Sequence, residues 1–239
     1  MDQATPTTGK TERIRRMFDG IADRYDFANK LMTLGIDRLW RRRTARWVAS
    51  HSPHKILDVA VGTADLSMEL TRQCPALEQI TGVDISEGML QKGREKIAQK
   101  APQANIQLEQ ANCEALPYKE DSFDAVVSSF GVRNFEHLAQ GLEEMCRVTR
   151  PGGVIAILEL SVPRNPILRC GYTLWTHTFI PLVGCLFARN RGAYNYLPRS
   201  VRQVPQYEAF TKMLLEAGYG KAEYKAFSGG IATLYYAIK

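Results

Sequence analysis

A doubly wound α/β domain is the fold this chain predicts, and three observations predict it. From His51 onward, short apolar runs alternate with longer amphipathic stretches, the rhythm of strand and helix. The runs KILDVAV, ITGVDI, IQLEQA, FDAVVSSF and VIAILEL are mostly apolar rather than strictly alternating, as strands are when helices cover both faces of a parallel sheet. The chain has 239 residues, 45% hydrophobic and 23% charged, enough for one sizeable core without disulfide or metal staples. That balance excludes a disordered chain, a collagen-like repeat and a disulfide miniprotein.

Taken in order, residues 1–12 (MDQATPTTGKTE) hold no apolar core and read as a flexible tail, not a signal peptide. Ile14, Met17, Phe18, Ile21 and Tyr25 then fall on one helical face, opening a pair of N-terminal helices over residues 13–50. A basic run follows, with Arg38, Arg41, Arg42, Arg43 and Arg46 between Asp37 and Trp47. Such a run is ordinarily a solvated helix face. The flanking Trp40 and Trp47 add the alternative of an anionic surface or membrane interface. Between the strand-like runs, Leu138, Leu142 and Met145 make one helical stripe, and Phe210, Met213, Leu214 and Ala217 another. Ser86 is placed as a helix cap and Gly218 as a helix stop.

One insertion, residues 163–205 within a single domain running 13–239, stands apart. Residues 170–188 (CGYTLWTHTFIPLVGCLFA) carry no formal charge, approaching the ~20 apolar residues that span a bilayer. Gly171, His177, Pro181 and the threonines inside it argue against a clean span. Leu168, Tyr172, Trp175 and Phe179 recur at i, i+4, i+7 and i+11, a one-sided stripe. A buried helix pair and an apolar lid or membrane-facing surface both satisfy that pattern.

Lys and Arg number 31 against 25 Asp and Glu, a formal charge of +6. That excess suits an anionic partner without requiring one. The cysteines at 74, 113, 146, 170 and 185 form no C-x-x-C pair and have no histidine at ligand spacing, so no metal site is expected. The reading is a reduced, cytoplasmic protein.

In a doubly wound sheet the ligand lies beyond the carboxyl ends of the strands, where the strand order reverses. After the first run stand Asp58, Gly62, Thr63, Ala64 and Asp65. Small residues at 60, 62 and 64 let the backbone approach a ligand, and the next helix offers its N–H groups. The G-x-G-x-x-G of a nicotinamide site is absent. After the second run comes Asp84, able to accept both hydroxyls of a ribose. Asn112 and Cys113 follow the third run, placed to meet an adenine edge, and Ser129, Arg133 and Asn134 follow the fourth. Together they make a nucleoside-binding edge without a phosphate cradle, and S-adenosylmethionine fits it best.

Through nearly its whole length the chain resembles the menaquinone and ubiquinone biosynthesis C-methyltransferase family (UbiE/MenG type), class I methyltransferases. The resemblance is carried by FDGIADRYDFANKLMTLGIDRLWRRR, ILDVAVGTADL, GVDISEGMLQKGREK, ANCEALPYKEDSFD, SFGVRN, EMCRVTRPGG and GGIATLYYAIK. It implies a Rossmann-like, mostly parallel seven-stranded sheet with N-terminal helices and a helical lid. It also implies cofactor contacts at Thr63, Asp84, Asn112, Cys113 and Ser129, with Gly62 lining the methionine end. Val61 and Ala64 stand where the family usually has glycines, and Cys113 where it usually has alanine. A left-handed alanine costs roughly 1–2 kcal/mol, so right-handed geometry is expected at Ala64.

The family methylates a ring carbon beside a hydroxyl of a reduced isoprenoid quinone. The implied substrate is therefore a polyprenylated quinol, demethylmenaquinol first and the ubiquinone precursor second. Ionising that hydroxyl pushes electrons into the ring. Lowering a phenol pKa of ~10 by ~3 units takes about 4 kcal/mol, and one cation ~4 Å away at an effective dielectric of ~20 supplies about that much. Arg133 is chosen as that cation and Tyr25 as hydrogen-bond partner or proton relay. The structural alternatives are a pairing of Arg133 with Glu159 and a core position for Tyr25. His177 reads as packed in the lid rather than as a base.

The insertion, rimmed by Arg164, Arg169, Arg189, Arg191, Arg199 and Arg202, would dock on anionic lipid at the inner face of the membrane and admit the polyprenyl chain. No nucleic-acid partner is expected, since no aromatic-interleaved basic strand is present. Two rival readings stay open: a methyltransferase for another phenol, lipid or RNA, and a cofactor-binding scaffold without turnover.

Overall fold

The computed structural model describes residues 9–179 and 191–239. Strands β1 (Lys55–Val59), β2 (Gln79–Asp84), β3 (Ile106–Gln110), β4 (Phe123–Ser129), β5 (Thr149–Leu160), β6 (Lys221–Phe227) and β7 (Ala232–Ile238) form one sheet ordered β3-β2-β1-β4-β5-β7-β6. The five apolar runs supply β1 to β5, all parallel, and β7 inserts antiparallel between β5 and β6. The expected doubly wound, mostly parallel seven-stranded architecture is therefore the observed one. Strand order reverses between β1 and β4, which fixes where a ligand crevice opens.

The helices are α1 (Gly9–Met32), α2 (Asp37–Ala49), α3 (Asp65–Gln73), α4 (Glu87–Lys100), α5 (Leu138–Val148), α6 (Pro166–Leu174), α7 (Arg191–Gln203) and α8 (Glu208–Glu216). A π-helical turn, Trp175–Phe179, continues α6. On one sheet face Leu142, Met145 and Phe210 from α5 and α8 pack on Leu57, Val126 and Ile155. On the other, Trp40, Val48, Leu66 and Leu70 from α2 and α3 pack on Ile56 and Val127. The Ser86 hydroxyl accepts the Met89 N–H at 3.2 Å, capping α4 as expected. Gly218, at φ +109°, follows the end of α8.

Three features depart from the sequence reading. First, α1 begins at Gly9, inside the expected tail. The Lys10 ammonium donates to the Phe135 carbonyl at 2.6 Å and the Thr11 hydroxyl to Glu136 at 2.7 Å, partners far along the chain that local composition cannot reveal. Residues 1–8 lie outside the described residues.

Second, the tryptophans of the basic run face protein. Trp40 is 2% exposed and donates to the Ser228 hydroxyl, and Trp47 stacks on Tyr236 and His51. Arg41 is also buried, ion-paired with Asp37 one helical turn earlier.

Third, the rim of the insertion is partly consumed internally. Arg164 pairs with Glu208, and Arg169 donates to the Pro163 carbonyl at 2.9 Å. His177 is exposed, with its Nε2 3.1 Å from the Arg202 guanidinium, rather than packed in an apolar lid. Arg189, with the apolar residues 180–188, lies outside the described residues, as does Cys185. Among the described residues no helix is long and apolar enough to cross a membrane.

Candidate active site

The site is built where β1 and β4 diverge. After β1 the chain turns through Ala60, Gly62 and Ala64 with φ of 56°, 56° and 64°, three left-handed residues alternating with ordinary ones. Ala64 thus contradicts the right-handed geometry expected of it. Its side chain is fully buried against Val61 and Leu90, its N–H bonds the Val61 carbonyl, and its own carbonyl accepts the Met68 N–H in the first turn of α3. Closing that loop outweighs the local cost. Ala64→Gly should therefore raise stability by up to about 1 kcal/mol, relief of the left-handed strain less the added freedom of the unfolded chain; thermal unfolding checks it. Across the crevice, a Cβ on Gly131 would sit 2.5 Å from that of Ala60, so the β1 and β4 loops meet at a glycine.

Asp84, at the end of β2, is oriented by the chain itself. One carboxylate oxygen accepts the Gly62 N–H and the other the Ser86 N–H, both at 2.9 Å. Burial pushes its carboxyl upward, against the pull of those N–H groups. Gly62, Thr63, Asp84, Asn112, Cys113 and Ser129 all line one cavity, as the sequence reading had grouped them. Within it the Thr63 hydroxyl donates to Asp26 and accepts from Lys96, each at 2.7 Å, so it ties α1 to the loop as well as facing the cavity. The Asn112 amide oxygen accepts the Glu114 N–H at 3.0 Å. Burial pushes the Cys113 thiol far up, against a hydrogen bond with the Ala60 backbone.

A second cavity of about 320 Å³ adjoins the first, walled by Met32, Trp40, Tyr172, Trp175, Leu197 and Val201. Arg133 lines this one, whereas Tyr25 lines the first. Among the described residues only Arg41 and Phe130 line both. Arg133 is buried and its guanidinium lies 2.8 Å from Glu159, the structural pairing weighed above. Its Nε has no hydrogen-bond partner. Burial works against its charge, but Glu159 and the Tyr25 phenol hold its pKa above the ordinary value. Burial raises the Tyr25 phenol, opposed by the charge of Arg133, a hydrogen bond with Asn29 and the charge of Arg41. Ile14, Phe18 and Tyr25 from the predicted α1 stripe face the cofactor-side cavity.

Asp58, 1% exposed, accepts the Ser67 hydroxyl at 2.6 Å while its other oxygen has no partner. Burial pushes its carboxyl up to about 7. The stability linked to it is full below the ordinary carboxylate pKa and falls as pH rises from there through about 7. Asp58→Asn should accordingly be more stable than the parent by about 2 kcal/mol at pH 8, with the gap narrowing as pH falls and closing only near the ordinary carboxylate pKa of about 4; urea unfolding between those limits measures it.

Sequence reasoning missed two groups. Asp19, Asp23 and Asp26 lie at i, i+4 and i+7 along α1 and dock it on α4: Asp19 accepts from the Ser86 hydroxyl and Gly88 N–H, Asp23 from Lys92 and Asp26 from Lys96. Arg41 was hidden in the charge run, although Asp37, Arg41, Thr44 and Val48 already mark the buried face of α2. Among the described residues no cluster could hold a metal ion.

Comparison with known proteins agrees with this geometry. The chain is 43% identical over 228 residues to the "ubiquinone/menaquinone biosynthesis C-methyltransferase UbiE" of Geobacter sulfurreducens, covering 95% of this chain and 89% of that one. It is 40% identical to the "demethylmenaquinone methyltransferase" of Porphyromonas gingivalis, covering 96% and 94%. Among solved structures, a SAM-dependent methyltransferase from Thermotoga maritima shares the fold at TM-score 0.65 and 14% identity, covering 95% of this chain and 99% of that one. The [4+2]-cyclase SpnF does so at 0.62 and 13%, covering 97% and 96%, a reminder that this fold alone does not name a reaction. The model of the ubiE/COQ5 methyltransferase family matches residues 6–239, and the chain belongs to that family.

Proposed function

We propose that the protein transfers a methyl group from S-adenosylmethionine to a ring carbon of a reduced isoprenoid quinone precursor, demethylmenaquinol first and the ubiquinone benzoquinol precursor second. One observation carries the reading: a polar cavity with nucleoside chemistry opens beside an apolar one that holds a buried arginine, and the two share the wall of Arg41 and Phe130. The residues of the first cavity suit the cofactor. Asp84 is pre-oriented for a ribose diol, Asn112 and Ser129 offer polar edges, and the left-handed loop at 60–64 brings backbone close. The cofactor supplies an electrophilic methyl group on a positively charged sulfur.

Arg133 stabilises the ionised quinol oxygen electrostatically, since an arginine holds its charge throughout and is no base. Glu159 behind it keeps the guanidinium in place and takes part of its field. Tyr25 stands on the cofactor side of the wall as hydrogen-bond partner or proton relay. Transfer would break the sulfur–methyl bond, leave a neutral thioether and form the carbon–carbon bond, after which the ring would regain aromaticity by releasing that carbon's proton to solvent, directly or through Tyr25. The second cavity, apolar on most of its wall, receives the ring and the start of the polyprenyl chain.

Contact with an anionic membrane is supported by what surrounds that second cavity. Leu34 on its wall is 65% exposed, and on α6 nearby Ile167 and Leu174 are 82% and 65% exposed. Arg38 and Arg199 are exposed as well. Such apolar residues with cations beside them are what an interfacial surface presents. Ile167→Glu with Leu174→Glu should weaken binding to anionic liposomes about tenfold; unchanged co-sedimentation would refute the membrane contact.

The function is tested by supplying labelled S-adenosylmethionine with reduced demethylmenaquinone, a reduced ubiquinone precursor and bulk RNA in parallel. Label is expected in the naphthoquinol. Label in RNA, or in no acceptor while the cofactor still binds, overturns the reading in favour of a different acceptor or a scaffold.

A further inference from the structure

We propose that Arg41 holds the carboxylate at the methionine end of S-adenosylmethionine, an inference that rests on S-adenosylmethionine being the cofactor. The cofactor is a zwitterion at that end, and its carboxylate needs a cation. Among the described residues that line the first cavity, Arg41 is the only lysine or arginine; Asp65, Asp84 and Glu114 beside it carry carboxyl groups, which offer a carboxylate no cation. Lys96 stands close, but its ammonium is already engaged by Thr63, Asp26 and Asp65.

The hydrogen bonds of Arg41 are divided in a way that suits this role. One end of its guanidinium is taken: Nη1 pairs with Asp37, itself held by the Thr33 hydroxyl at 2.8 Å. Nη2 is 3.9 Å from Asp65, too far for a hydrogen bond, and Nε is buried with no partner at all. Nε and Nη2 form the edge that grips a carboxylate through two parallel bonds. Of that edge, Nη2 lies nearest Asp65, which lines the first cavity and not the second, whereas the occupied Nη1 faces Asp37, which lines the second and not the first; all three residues also border a third cavity, which Lys96 and Lys100 share. Phe130 lies 5.1 Å from the guanidinium carbon and fixes the plane of the fork. A buried N–H with no acceptor is costly in a folded protein, and a bound carboxylate removes that cost.

The test compares S-adenosylmethionine with its decarboxylated form, which lacks only the carboxylate, by calorimetric titration of the full chain. The parent should prefer S-adenosylmethionine by at least ~30-fold. In Arg41→Gln that preference should shrink to about threefold or less, with affinity for the decarboxylated form little changed. Equal loss of both ligands, a preference that survives, or a parent that shows none overturns the assignment. A surviving preference with a raised KM for the quinol would place Arg41 on the substrate instead. Should Arg41→Gln fail to fold by circular dichroism, Arg41→Lys decides, because it keeps the charge beside Asp37 but not the fork. A preference cut at least ~5-fold supports the role and an unchanged one refutes it. A parent that binds neither ligand would sink the cofactor reading itself, a different failure from any of these.

Discussion

Arg133→Ala is expected to slow methyl transfer roughly 100- to 1,000-fold while leaving cofactor affinity within about threefold. The split follows from position: Arg133 lines the second cavity and not the first. Its full field on a phenolate ~4 Å away is worth about 4 kcal/mol, and Glu159, at 2.8 Å, reduces it. The same variant should lose about 3 kcal/mol of stability, because Glu159 at 1% exposure is left with no opposing charge. Arg133→Met combined with Glu159→Gln separates the two effects, since it removes both charges together. That double variant should unfold at nearly the parental urea concentration yet remain as slow as Arg133→Ala. Near-parental turnover in it would remove Arg133 from the chemistry and leave only the structural pair.

The second large effect is expected at Asp84. Asp84→Asn should weaken S-adenosylmethionine binding at least ~100-fold, because hydrogen bonds from ribose hydroxyls to a charged acceptor are each worth about 1.5–3 kcal/mol. Both carboxylate oxygens also serve the chain, one on the Gly62 N–H and the other on the Ser86 N–H. An amide turns one acceptor into a donor, so one of those backbone groups loses its partner whichever way the side chain flips. About 1–3 kcal/mol of stability should go with it. Titration of the folded variant with the cofactor, side by side with the parent at the same pH, measures the loss. Parental affinity would show that the ribose is held elsewhere.

The sheet was legible where burial wrote it into composition. β1, β2, β4 and β5 are covered on both faces and read as apolar runs. β6 (KAEYKAF) is an edge strand, mostly exposed, and only the family resemblance implied a seventh strand. That Gly62, Thr63, Asp84, Asn112, Cys113 and Ser129 share one cavity was legible because the ends of consecutive parallel strands meet near the point where strand order reverses. Ala64 departs from its expected geometry because only its own backbone cost is visible locally, not the loop closure that Val61, Leu90 and α3 impose. Arg41 was missed for the opposite reason. A charge among charges looks solvated until the i, i+4, i+7 spacing of its helix is followed to the core. The docking of Lys10 and Thr11 rests on Phe135 and Glu136, pairings between distant segments that no local pattern encodes.

The seat of α1 on α4 has a kinetic consequence. With α1 in place the first cavity measures about 80 Å³, well below the ~300 Å³ at which small-molecule sites begin. Ile14, Phe18 and Tyr25 form part of its wall, so the seating of α1 sets the room left for a cofactor on its way in and out. It is held by the buried Ile14 and Ala22, by Asp26 on the buried Lys96 and Asp19 at the mouth of α4, and at the surface by the ion pair of Asp23 with Lys92. Contacts of that last kind are individually weak, part quickly and are screened by salt. Cofactor release is therefore expected to quicken as ionic strength rises from low to moderate, and a stopped-flow dissociation rate indifferent to salt would show that this seat does not limit it.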